Sequence, residues 1–262
     1  MTHRTILAAA ALLLAMSAPH PIRAAELKLL ASGAVKLALG RLAADFQKSS
    51  GHAVSVEYGP AGAIAERARK GEAIDVVIAN RPQLEALARD GKVLVDSRHD
   101  IAGIALGVAV RKGAPKPDIA SVDAFRRTLL AARAIAYRDP ATGSTSGIYT
   151  ARLIERLGLA DALRPKTRLD NSPGGRPEHV FDAVASGEVE LQIGQITEIV
   201  LAPGVELAGP LPGELQKVSV LTAGVATASK APDAAGAFVR FLASPAAAAQ
   251  LEADGFQPVA SN

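Results

Sequence analysis

Residues 26–80 run twice through an apolar stretch, a Gly-bearing polar loop and a helical pattern, then close on a third apolar stretch. The three segments are ELKLLASGAVKLALGRLAADF, HAVSVEYGPAGAIAERARKG and EAIDVVIAN. Strand and helix alternating in this way build a βαβαβ unit, with parallel strands in a sheet and helices packed on its faces. Two loop-to-helix turns then stand side by side at the carboxyl edge of one sheet. A helix start presents unpaired backbone N–H groups and the positive end of its dipole. Two neighbouring starts therefore form an anion cradle that needs no charged side chain. This is the shape of a recognition site.

The spacing of apolar residues carries the pattern further. Val35, Leu39, Leu42 and Phe46 form one helical stripe, and Gly51 stands where a helix would stop. A second helix runs from about Ala63 to Lys70 and stops at Gly71, ahead of a buried strand from Asp75 to Ala79. Pro82 opens a third helix with Leu84, Leu87 and Ala88 inward, closed by Gly91, and Ile104–Val110 reads as one strand. The Pro- and Gly-rich segment Lys112–Asp118 suits a chain leaving one lobe for another. The pattern then repeats: a strand over Ala134–Tyr137, a loop over Arg138–Thr145, and a helix from about Ser146 with Ile148, Leu153 and Leu157 inward. Beyond it come a loop at Pro173–Pro177, a short helix over Glu178–Ser186 and a strand over Val189–Ile193. Val218–Ala228 reads as a long returning strand, followed by helices from Asp233 and from Pro245. Two βαβ patterns, each with its own loop and helix start, favour two α/β lobes over one doubly wound domain. The expected division is 26–108 with 218–262 in the first lobe and 109–217 in the second, with a ligand cleft between them.

Met1 to about Ala25 has the three parts of a cleaved secretory signal: Arg4, an apolar run from Ile6 to Met16, and Ala24 and Ala25 ahead of Glu26. Its apolar run is about half of what a membrane span requires. Removing residues 1–25 takes away Arg4 and Arg23 and lowers the formal charge from +3 to +1. The remaining Lys and Arg residues are scattered and aromatic residues make up only 3% of the chain, so nucleic acid is set aside as a partner. With no cysteine, an exported chain has no disulfides, no thiolate metal site and no thiol nucleophile.

The same residues do not complete an enzyme motif. GSTSG at 143–147 resembles a hydrolase elbow, but Thr145 stands where G-x-S-x-G requires serine. No histidine follows His179, so a late general base of that kind is missing. GPAGAIAE lacks the lysine of a phosphate-binding P-loop, and His99 beside Asp100 is a weak metal pair. The expectation is a protein without catalytic residues, metal or cofactor.

ASGAVK at 31–36, GPAGAIAERARKGEAIDVVIAN at 59–80, GSTSG at 143–147, VASGEVEL at 184–191 and FVRFLASPAAAAQLEADGF at 238–256 together resemble the periplasmic solute-binding proteins of ABC importers. Within that family the resemblance is to the molybdate-binding branch, and it spans nearly the whole chain after residue 25. It implies a type II periplasmic binding fold whose two lobes close on a ligand by hinge bending. It also implies a periplasmic location, a membrane permease as partner, a small anionic ligand and a monomer. By position, Ser32 and Gly33 would line the first cradle, Ala61 and Gly62 the second, and Thr142, Gly143, Ser144, Thr145 and Ser146 the opposing jaw. Asn80 and Gln195, each ending an apolar strand, complete the polar lining. Ser32 and the GSTSG hydroxyls also suit plain helix capping.

Two departures leave the ligand class open. Ala61 stands where the molybdate proteins usually carry a serine, and Gln195 and Ile196 where they usually carry a tyrosine. Arg81, Arg138 and Arg176 lie at or near the carboxyl ends of strands, where ligands of open α/β sheets bind, and a guanidinium fork matches a carboxylate. A small organic carboxylate or phosphonate is therefore the alternative to a molybdate-like oxyanion. A ligand sensor is the alternative to a transport component.

Overall fold

The computed structural model describes residues 24–172 and 179–259. In chain order its elements are β1 (Glu26–Ser32), α1 (Lys36–Ser50), β2 (Ala53–Gly59), α2 (Ala61–Arg69), β3 (Val76–Asn80), α3 (Arg81–Arg89), β4 (His99–Ile104) and β5 (Leu106–Arg111). There follow α4 (Val122–Ala131), β6 (Ile135–Arg138), α5 (Thr145–Arg156), α6 (Ala160–Leu163), β7 (Thr167–Asp170), α7 (Asp182–Ala185), β8 (Leu191–Gln195) and α8 (Ile196–Ile199). The chain ends with β9 (Val205–Pro210), β10 (Ser219–Val225), α9 (Pro232–Leu242) and α10 (Pro245–Ala253). The signal read over residues 1–25 lies almost wholly outside the described residues, as do Arg176 and the loop around it.

The strands form two five-stranded sheets of matching design, ordered β2-β1-β3-β10-β4 and β7-β6-β8-β5-β9. In each, three parallel strands lie together and the fourth strand runs antiparallel to them. Each sheet buries an apolar cluster on both faces, as expected of βαβ units covered by helices. Val35, Leu39, Leu42 and Phe46 are all buried on the first sheet, and Gly51 ends α1 in the left-handed conformation that only glycine adopts cheaply. The fold is thus α/β with two lobes.

Three differences from the sequence reading follow from backbone partners that periodicity does not report. The apolar run Ile104–Val110 is two strands, because Ile104 pairs with Ser219 in the first sheet while Leu106 pairs with Gln195 in the second. The chain therefore changes sheets at Ala105, ahead of residue 108. β7 and β9 are edge strands whose mixed burial carries no apolar run. Ile148 does not face inward but is 36% exposed, because α5 turns Gly147 and Thr150 toward the sheet instead.

The two connections between sheets are tied to each other. The Gln216 side chain accepts from Leu106 N–H at 2.9 Å and donates to Leu106 C=O at 2.8 Å, so both backbone polar groups of that residue are met by one side-chain amide. Tyr149 Oη donates to Leu215 C=O at 2.8 Å and fastens the same connection to α5.

Candidate functional site

The carboxyl ends of β1 and β3 face those of β6 and β8. Asn80 Nδ2, at the end of β3, donates to Thr145 Oγ1, at the start of α5, over 2.8 Å. A Cβ added to Gly62 in α2 would lie 3.6 Å from Gly143 C=O. α8 packs against the 3-10 turn Gly33–Val35, and Gly255 approaches the same helix. The first cradle and the GSTSG turn are therefore opposite walls of one cleft.

The walls are rich in donors. Ser32 ends β1 with its side chain making no cap hydrogen bond to the following turn, and its hydroxyl has no partner among the described residues. α2 follows Pro60, which supplies no side-chain cap, so the first N–H groups of that helix stay open. On the opposing wall Ser144 caps α5 by accepting from Gly147 N–H at 3.3 Å, and its hydroxyl lies 3.0 Å from that of Ser146. Gln195 precedes α8 without capping it.

Other sequence candidates fall elsewhere. Arg81 turns away to Asp100, which also accepts from Thr222 Oγ1 at 2.5 Å; this network lies on the α3 side of the first sheet. Thr142 donates to Asp139 C=O at 2.7 Å and closes its own loop. Among the described residues no group of three or more His, Asp or Glu side chains could hold a metal ion.

The structure adds a charged group that the sequence did not single out as a unit. Arg138 ends β6 and is only 7% exposed. Its Nη1 donates to Asp170 Oδ2 at 3.1 Å, from the end of the adjacent strand β7. Asp170 is itself held by Ser172, whose N–H and Oγ both reach its other oxygen. Gly147 is required here: a Cβ at this position would stand 2.2 Å from Arg138 C=O, so only glycine lets α5 approach the strand end so closely. Glu198, half-buried in the first turn of α8, lies close enough to sense both members of the pair. Burial lifts its carboxyl to about 7; Arg138 pulls it down and Asp170 pushes it up. Among the described residues its carboxylate has neither a hydrogen bond nor an ion pair. The sequence offered a faint signal for it, a lone carboxylate inside the apolar stretch that follows β8.

A cleft between two α/β lobes, lined by helix starts and hydroxyls, is the architecture of a binding protein. The family described as bacterial extracellular solute-binding protein matches residues 27–257, and the chain belongs to it. Among its relatives, an aconitate isomerase from Pseudomonas sp. is 34% identical over 97% of this chain and 96% of its own. The molybdate-binding protein ModA of Azotobacter vinelandii is 26% identical over 97% of this chain and 96% of its own. The solved structure of the periplasmic molybdate-binding protein of that organism superposes with a TM-score of 0.72, covering 89% of this chain and all of the other, at 22% identity. That likeness concerns the fold.

Proposed function

We propose that this protein closes its cleft on a small organic polycarboxylate outside the cytoplasm and presents it to the membrane permease of an importer. The observation that carries the reading is the Arg138–Asp170 pair beside the GSTSG turn. A buried arginine oriented by one carboxylate spends one N–H on it and keeps the rest of its fork for a second carboxylate. Ser32, the open N–H groups of α2, Asn80, Ser144, Thr145, Ser146 and Gln195 supply neutral donors for further carboxylates. Each charge-assisted hydrogen bond adds roughly 1.5–3 kcal/mol. Ala61 supports the same choice, since it removes a side-chain hydroxyl that would serve a tetrahedral oxyanion. The more similar of the two relatives described above carries a tricarboxylate in its name.

A thermal-shift panel of cis- and trans-aconitate, tricarballylate, citrate, malate, molybdate, tungstate and sulfate tests the reading. A tricarboxylate at a hundred times its Kd should stabilise the protein by about 2.7 kcal/mol, a shift of several degrees. A shift with molybdate or tungstate alone would replace the polycarboxylate with an oxyanion.

A further inference from the structure

The cleft holds one ionisable group that binding alone does not call for. Glu198 stands on the short helix that follows β8, and that helix packs against the turn after Ser32, at the junction of the lobes. Its charged neighbours at the adjoining strand ends are Arg138 and Asp170. A purely anion-binding wall should exclude a carboxylate, because a second negative charge repels the ligand. A carboxylate that served only structure would be paired, as Asp170 is with Arg138, Asp100 with Arg81 and Asp254 with Arg41. Glu198 has no such partner among the described residues, and it is half-buried where solvent cannot fully hydrate it.

We propose that Glu198 is a proton-transfer residue that removes a proton from, and returns it to, a carbon of the bound polycarboxylate. This rests on the polycarboxylate reading of the cleft. The bond that breaks is a C–H on a methylene lying between a carboxylate and a C=C bond, and the bond that forms is O–H on Glu198. The electron pair left on carbon spreads through the conjugated system onto a carboxylate oxygen, which the Arg138 fork and the helix starts stabilise. Return of the proton to either end of the allylic unit breaks the O–H, remakes a C–H and moves the double bond or allows rotation about it. No atom is gained or lost, and neither oxidant nor reductant is needed. A carboxyl poised near 7 suits the task, since general bases work best with a pKa near the operating pH.

The test is proton NMR of trans-aconitate with the protein in D2O, read as loss of the methylene signal and appearance of the cis isomer. Binding is followed in parallel by calorimetry. The wild type should exchange the methylene protons, with a rate that rises as pH passes through about 7. Glu198→Gln, which removes the buried charge, should fold, bind the acid at least as well, and exchange about a hundredfold or more slowly. Glu198→Asp should restore part of the rate. Binding without exchange in the wild type, or exchange at the wild-type rate in Glu198→Gln, overturns the assignment and leaves the binding reading standing. Failure of the wild type to bind trans-aconitate overturns both.

Discussion

Glu198 also makes a prediction about stability that does not depend on any ligand. In the unfolded chain its carboxyl ionises near 4.5, whereas in the folded cleft it ionises at about 7. Between those values the folded state holds more protons than the unfolded state, so stability from this group is present at low pH and is lost as pH rises toward 7. At about 1.36 kcal/mol for each pH unit between the two values, the loss comes to about 3 kcal/mol by pH 8. For a chain of this length 1 kcal/mol corresponds to roughly 2–4 °C, so the effect on Tm is about 6–12 °C. Glu198→Gln keeps the size of the side chain and cannot ionise. The assay is differential scanning calorimetry of wild type and Glu198→Gln, ligand-free, at half-unit steps from pH 4.5 to 8. Subtracting one curve from the other removes the contributions of all other titrating groups. The variant should match the wild type at the acid end and exceed it progressively toward pH 8. A difference that stays flat across this range would show that Glu198 titrates alike in both states and is well hydrated in the fold, which would refute the reasoning.

Gly147→Ala should destabilise the protein by about 3 kcal/mol, because the new methyl meets the Arg138 carbonyl at 2.2 Å and backbone must move; urea denaturation reads it. Asn80→Ala removes the 2.8 Å bond between the walls, so the ligand-free population should shift toward a more open form by up to about tenfold, seen as a larger radius of gyration in solution scattering. Gln216→Glu keeps the acceptor for Leu106 N–H but loses the donor to Leu106 C=O, costing about 1–3 kcal/mol in chemical denaturation.

Much of the fold was legible because its signals are local. The α1 stripe of Val35, Leu39, Leu42 and Phe46 has helical spacing, and Gly51, Gly71, Gly91 and Gly158 all adopt positive φ where the chain turns. What escaped was set by partners distant in sequence. Nothing in Ile104–Val110 marks Ala105, since both halves are equally apolar and only their pairing differs. The site divided in the same way. The GSTSG turn announces itself through its hydroxyls and glycines, and Ser144 does cap α5. Arg81 and Arg138 looked alike as cations at strand ends. Asp100 draws one aside and Asp170 holds the other in place beside the cleft, a distinction that arises only when β4 and β7 take their positions.

The lacing of Gln216 to Leu106 bears on how the two halves of this molecule can move. Two separate strips of backbone joining two bodies would permit independent twisting as well as bending, much as two loose cords do. When one amide grips both polar groups of the opposite strip, the pair behaves as a single flat strap. A strap flexes readily across its thin direction and resists torsion. Any relative travel of the sheets would thereby be narrowed toward one arc, an arc that returns Asn80 to Thr145.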